Sequence, residues 1–332
     1  MFTRSVSLRV ALGLATTLVL FTGSAARAAA DGASAYPQRP ITLVTPYPPG
    51  ASTDALARIV AKTAGEKLGQ AIVVESKAGA GGTIAAQYTA RAKPDGYTFM
   101  LTAGGIMTIN PSVYKQLPYD PQKDFTSLTV AVRVPLVVAV RSDSPFKTMN
   151  DITAQARKTP GKLTYGSAGI GTSQHLAGEL YKNMADVEIL HVPYKGGAPA
   201  MNDLLGGQID MMFVQIPSAE AQVRNGALRL LSIGSPQRSK ALPNVPTLAE
   251  SGLPGYDSNT WYGFNMPAHV PPAIAAKLHD AIIQALDENE DKLEALGFVK
   301  EASTQAEMDQ TVRDETRKWA PVIRAAGFFG TQ

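Results

Sequence analysis

Apolar and polar positions follow two rhythms along this chain. Ile41-Thr42-Leu43-Val44 is a short, β-branched apolar run suited to a buried strand, and Leu56, Ile59, Val60 and Leu68 follow at helical spacing. The change of period recurs at once. Ile72-Val73-Val74 predicts a strand, Gly81-Gly82-Thr83 opens a helix reaching Arg91, and residues 97–101 predict the next strand. Such alternation argues for an α/β unit around a mostly parallel sheet. The rhythm then breaks. Residues 110–123 read as loop, with Pro111, Pro118 and Pro121, and 125–141 form a long β-prone run interrupted by Pro135. A run of that kind between two α/β units is a candidate crossing between them.

Alternation then resumes. Helices are expected over 152–158, 174–184 and 200–205, the last stopped by Gly206-Gly207. Strands are expected over 163–165, 188–190, 211–214 and 228–233. Residues 256–266 predict a second crossing, and amphipathic helices over 271–286 and 305–326 return to the first unit. The expected organisation is one lobe of residues 31–134 plus 259–332 and a second of 135–258.

Residues 1–30 stand apart. Arg4 and Arg9 precede an apolar run over 10–21, and small residues end in Ala26-Arg27-Ala28-Ala29-Ala30. This is the pattern of a cleavable secretory signal peptide, with cleavage expected after Ala28 or Ala30, and it implies a periplasmic protein. The chain holds 31 Lys+Arg and 28 Asp+Glu. The leader accounts for three arginines and no acid, so the remainder is formally neutral, which argues against a nucleic-acid or polybasic membrane surface. With 0 Cys there is neither a disulfide framework nor thiol chemistry.

Candidate chemistry lies in the turns. Thr45-Pro46-Tyr47-Pro48-Pro49-Gly50-Ala51-Ser52-Thr53-Asp54 joins the first strand to the first helix, with Ser52 or Thr53 as the expected N-cap. N–H groups at such a helix start point into the loop and carry the positive end of the helix dipole, which makes an anion seat from backbone alone. The second lobe repeats the device. Ile189-Leu190-His191-Val192 leads through Pro193-Tyr194-Lys195-Gly196-Gly197-Ala198-Pro199 into a helix, with Pro199 in its first turn. A third segment, Tyr165-Gly166-Ser167-Ala168-Gly169-Ile170-Gly171-Thr172-Ser173-Gln174-His175, again joins strand to helix and offers hydroxyls beside the second seat. Two seats on two lobes suit an acid held from both sides.

Catalytic and cofactor signatures fail on their spacing. The third segment puts Gln174 where a dinucleotide fingerprint needs its last glycine. Tyr165 rules out G-x-S-x-G around Ser167. His175, His191, His269 and His279 form no metal-binding motif. No cofactor, metal or catalytic residue is expected.

Many short stretches together resemble one family. They include Tyr36-Pro37-Gln38-Arg39-Pro40-Ile41, the opening loop through Asp54, Lys77-Ala78-Gly79-Ala80-Gly81-Gly82, Ile109-Asn110-Pro111 and Leu117-Pro118-Tyr119-Asp120-Pro121. The second lobe adds Val192-Pro193-Tyr194-Lys195-Gly196, Asp203-Leu204-Leu205-Gly206-Gly207-Gln208-Ile209-Asp210, Leu242-Pro243-Asn244-Val245-Pro246-Thr247 and Trp261-Tyr262-Gly263. With these the chain resembles the Bug, or TctC-like, periplasmic solute-binding proteins of tripartite tricarboxylate transporters.

The resemblance implies a two-lobed α/β periplasmic-binding-protein fold, type II-like, with Rossmann-like lobes joined by two crossing strands around a cleft. It implies a non-catalytic protein that closes on a small organic carboxylate, a dicarboxylate above all, and delivers it as a monomer to TctA- and TctB-like membrane components. A sensing role towards a signalling partner, or a secreted hydrolase or isomerase using the same cleft, are the alternatives. The candidate ligand-binding residues on the first lobe are Tyr47, Gly50, Ala51, Ser52, Thr53, Asp54, Gly104 and Gly105. On the second lobe they are Ser167, Thr172, His175, Tyr194, Lys195, Gly196, Gly197, Ala198 and Gln215. Two departures from the family pattern stand out: Ala51 replaces a second loop glycine, and Thr102-Ala103-Gly104-Gly105-Ile106-Met107 carries few hydroxyls. The second departure is expected to add apolar surface to the cleft.

Overall fold

The computed structural model describes residues 36–49, 52–194 and 196–331, with Ser52 by its backbone alone. The expected signal peptide lies outside the described residues. The first α/β unit runs β1 (Ile41–Thr45), α1 (Ser52–Leu68), β2 (Ile72–Ser76), α2 (Thr83–Ala90) and β3 (Thr98–Ala103). β1 pairs in parallel with both β2 and β3. A π-helical turn, Gly105–Ile109, follows, and then the short α3 (Asn110–Val113), which opens the stretch expected as loop.

The long β-prone run divides at Pro135 into β4 (Phe125–Val134) and β5 (Leu136–Arg141). Proline has no N–H to give a ladder, so it suits the point where one strand leaves a sheet and enters the next. The second unit is α4 (Met149–Lys158), β6 (Thr164–Ser167), α5 (Ser173–Ala185), β7 (Leu190–Pro193), α6 (Gly197–Leu205), β8 (Met211–Gln215), α7 (Ile216–Arg224) and β9 (Leu228–Ile233). The chain returns through β10 (Thr260–Pro267), then α8 (Pro272–Glu288), α9 (Glu290–Ala295), β11 (Val299–Lys300) and α10 (Gln305–Ala325).

The strands form two sheets: a six-stranded one ordered β11-β4-β10-β3-β1-β2 and a five-stranded one ordered β7-β6-β8-β5-β9. Strand directions fix how the sheets face each other. β10 is antiparallel to both β3 and β4, so β4 runs the same way as β3 and ends on the same edge. β5 is antiparallel to β8, and Leu136 at its start pairs with Gln215 at the end of β8. One continuous stretch, β4–Pro135–β5, therefore joins the carboxyl edge of one parallel half to the carboxyl edge of the other. The two edges face each other across the crossing, the position where open α/β sheets bind ligands.

The second crossing lies beside the first. Thr260 pairs with Val134, the Gly234 N–H donates to Leu136 O at 2.7 Å, and the Ser258 N–H donates to Gly234 O at 2.9 Å. A Cβ on Gly234 would stand 2.2 Å from Ser258 Oγ, so glycine is what lets the two crossings touch.

Separate cores hold the two sheets. Leu43, Val44, Leu56, Phe99, Leu101 and Phe264 are fully buried in the first, and Val138, Tyr165, Tyr181 and Phe213 in the second. Several expected boundaries shift. The strand expected at 188–190 is Leu190–Pro193, because Ile189 turns into the core before the pairing with β6 begins. α7 lies where no element was expected; its Pro217 falls in the first turn, where a missing N–H costs nothing.

Tight packing in the second core gives a first test. Gly178 on α5 lies against the buried Tyr165 ring, where an added Cβ would come within 2.2 Å. Gly178→Ala is expected to destabilise the protein by about 1–3 kcal/mol through overpacking, read from urea unfolding. An unchanged midpoint would show that Tyr165 has room to move.

Candidate functional site

The first strand-to-helix turn is held from below. Tyr47 O accepts hydrogen bonds from Ser76 Oγ at 2.9 Å and Thr45 Oγ at 3.5 Å. Burial, with Tyr262 and Tyr119 nearby, pushes the half-buried Tyr47 phenol up, so it stays neutral. α1 begins at Ser52, so Ser52 and Thr53 are its first helical residues rather than its cap; residues 50 and 51 lie outside the described residues. Thr53 is buried, and Asp54 accepts from Arg58 Nε at 2.9 Å.

Two neighbouring segments brace this turn. The Gly79–Gly82 loop packs against it, and a Cβ on Gly82 would collide with Ile106 at 2.4 Å and meet Pro46 at 3.3 Å. Asn110 Nδ2 donates to Gly81 O and to Tyr119 Oη, Tyr114 Oη donates to Ala80 O, and Tyr119 Oη donates to Ile106 O at 2.6 Å. Gly104 lies against the Trp261 ring, where a Cβ would be 2.8 Å from Nε1, and Gly105 opens the π-helical turn. Ile106 and Met107 point into the first core. The expectation that they add apolar surface to the cleft is thus corrected: the turn rolls them inward.

The second turn is joined to the third segment through backbone. The Tyr194 N–H donates to Ser167 O at 3.1 Å and the Gly196 N–H to Ala168 O at 3.2 Å. Gly196 has φ 118° and ψ 168°, a conformation that glycine alone adopts readily. α6 starts at Gly197, so Gly197 and Ala198 carry N–H groups with no acceptor in the helix ladder. Lys195 lies outside the described residues. Tyr194 Oη donates to Asp203 Oδ2 at 2.7 Å; its phenol is pushed up to about 12 by burial first and that bond second.

The hydroxyls expected beside this seat are engaged within the loop. Ser167 Oγ lies 2.7 Å from His191 Nε2 and accepts from the Gly169 N–H. Thr172 caps α5, accepting from the His175 N–H and donating to Gly169 O. The His175 ring stacks on His191 at 3.9 Å between centroids, and its Nδ1 accepts from the Gly171 N–H. These side chains shape the loop. At the junction of the two lobes Gln215 Nε2 donates to Tyr262 Oη at 3.0 Å, tying the end of β8 to β10. Gln174 was missed as a brace: its Oε1 accepts from the Ala168 N–H. No feature of the sequence distinguishes that role from a solvated helix residue. Among the described residues no cluster of His, Cys, Asp or Glu could hold a metal ion, and no helix is long and apolar enough to cross a membrane.

Comparison with known proteins fits this geometry. Residues 56–328 match the family model described as tripartite tricarboxylate transporter family receptor. The chain is 34% identical over 320 residues to Protein BugT of Bordetella pertussis, covering 95% of this chain and 97% of that one. It is similar in structure to R. palustris Rpa4515 with adipate, with a TM-score of 0.80 and 35% identity over 88% of this chain and 98% of the other. It is also similar to MatC of Rhodopseudomonas palustris with bound malate, with a TM-score of 0.76 and 32% identity over 87% and 100% of the two chains.

The stacked histidines make the second seat sensitive to acid. Burial, then the neighbouring imidazole, holds His175 down at about 3, and burial holds His191 down at about 4, against an ordinary 6.5. Below pH 6.5 the unfolded chain therefore takes up protons that the native pair refuses, and stability falls as pH drops towards 4. His191→Gln is expected to flatten that fall, measured by urea unfolding at a series of pH values. A variant whose stability follows the wild-type pH profile would show that the pair stays neutral for no cost.

Proposed function

The chain belongs to the family of tripartite tricarboxylate transporter receptors, and we propose that it captures a small dicarboxylate in the periplasm and delivers it to TctA- and TctB-like membrane components. It is a receptor rather than an enzyme, as its family implies. One observation carries the ligand class: two helix starts, at Ser52 and Gly197, follow strands whose carboxyl edges face one gap. Amides at such ends favour anions, and no side-chain charge is required. That relatives of similar structure hold adipate and malate supports the reading.

In this reading residues 31–134 plus 259–332 and residues 135–258 move as two lobes on the paired crossings at Pro135 and Ser258. The ligand stabilises the closed state because only there does it touch both seats. Residues 1–30 are a signal peptide removed on export, and the receptor works as a monomer. Loop amides of 50–53 on one side and of Gly197 and Ala198 on the other hold one carboxylate. Ser167, Thr172, His175 and Tyr194 act by fixing the loop, while Tyr47, Gly104, Gly105 and Gln215 lie towards the cleft floor. The Gly196 N–H serves the loop rather than the ligand, since it donates to Ala168 O.

A thermal-shift panel of mono-, di- and tricarboxylates, adipate and malate among them, tests the class. A bound acid at a hundredfold excess over Kd adds about 2.7 kcal/mol of stability. The dimethyl ester of the best acid is expected to give no shift. Lys195→Ala should lose about 1 kcal/mol of binding, whereas Gly196→Pro, which fixes φ near −65° and deletes a bonded N–H, should abolish it. Loss of binding on Lys195→Ala with Gly196→Pro intact would replace the backbone seat by a side-chain ion pair, and an ester that binds as tightly as the acid would show that the site does not read the carboxylate charge at all.

A further inference from the structure

The last helix, α10, lies along the first sheet but does not stay with it. Met308, Val312 and Glu315 are buried on that side, and Trp261 Nε1 donates to Glu315 Oε2 at 2.9 Å. Its final turns lean across the boundary. Trp319, Val322, Ile323 and Phe328 form one apolar cluster with Ile109 and Val113 of the first lobe and Leu176 of α5 in the second. Ile323 and Leu176 are fully buried there, and Phe328 is 6% exposed. The Phe328 ring stands 4.6 Å from that of His175. Lys318 Nζ lies 3.6 Å from Asp257 beside the second crossing. The segment after the helix is tied back to the first lobe, where the Gly330 N–H donates to Ser112 O at 2.9 Å.

Elsewhere the lobes meet through smaller contacts: the Gln215–Tyr262 hydrogen bond, Pro217 at the face of Gly297, and the exposed Lys240–Glu294 pair at 3.4 Å. An apolar cluster of aromatic and aliphatic side chains does not slide freely. Rotation of one lobe on the other must either carry the cluster along or expose its side chains to water.

We propose that residues 318–330 are a clasp that holds the second lobe against the first without ligand, and so set the closed fraction of the empty receptor. The reach of the clasp to His175 places it on the loop-and-helix unit that braces the second seat. The empty protein then samples a narrow range of lobe orientations. Loosening the clasp lowers the population of the binding-competent state and weakens apparent affinity by that same factor. This rests on the two-lobed hinge reading above but not on the identity of the ligand.

Pulsed electron–electron spin distance measurement tests it on ligand-free protein. With 0 Cys in the chain, Lys93→Cys and Lys158→Cys give one label on each lobe, both at exposed sites away from the clasp. The parent protein is expected to show one narrow distance distribution. Phe328→Ala and, separately, Lys318→Glu are expected to broaden it and move its mean by more than about 2 Å. Near-ultraviolet circular dichroism confirms that each variant is folded, and Lys318→Glu alters an ion pair rather than the core, so a folded variant is available even if Phe328→Ala is not. A distribution unchanged in a folded variant, or already broad in the parent, overturns the clasp. A carboxylate panel with no binder would sink the ligand class while leaving this result to stand or fall by itself.

Discussion

A helix start leaves its first amides without acceptors in its own ladder, and each buried amide must find a partner or face a ligand or water. Here two such starts follow strands of different sheets, and the path of β4 through Pro135 into β5 turns the two strand edges towards each other. The remaining architecture keeps that arrangement in place. The Gly79–Gly82 loop, Asn110 and Tyr119 wedge the first turn, while the Ser167–Ala168 carbonyls hold the backbone of the second. Loops that would otherwise be mobile become parts of fixed geometry, as preorganised electrostatic sites require.

The same constraint explains what the polar side chains do. Most of those beside the seats are turned inward: Ser167 to His191, Tyr194 to Asp203, Thr172 to its own helix start. In the proposed reading a site read by backbone leaves side chains free to position it, and a neutral histidine pair does not draw the ligand away from the amides. The depressed His175 and His191 fit that arrangement, since a charge there would compete with the helix dipole for the anion.

Much of the fold was legible because apolar runs such as 41–44 and 211–214 become buried strands of one unit each. The crossing was legible because a proline interrupts an otherwise continuous β-prone run. Less legible were elements held by distant partners. The π-helical turn was not anticipated and α3 forms where prolines suggest loop; what orders them is Tyr119, which donates to Ile106 O and accepts from Asn110, and the Gly81 carbonyl, which also accepts from Asn110. The glycine-rich helix starts were visible in the sequence, but the roles of the hydroxyls beside them were not. A serine reads as a ligand donor until His191, twenty-four residues on, is seen to bond to it. The family stretches around Asn110, Tyr119, Asp203 and Asp210 are likewise braces: Asp210 Oδ2 accepts from the Thr164 N–H and hydroxyl.

The claim that matters most is that a carboxylate is held by main-chain amides from both lobes. Amide proton shifts report hydrogen bonding at individual residues, so the direct measurement is a titration of ¹⁵N-labelled protein with adipate and with malate, followed by two-dimensional NMR. The account predicts that bound acid moves the amides of Ser52, Thr53, Gly197 and Ala198 downfield together, with the Gly196 amide little changed because it is already bonded within the loop. Saturated binding that leaves all four amides in place while lysine or arginine side-chain signals move would contradict it.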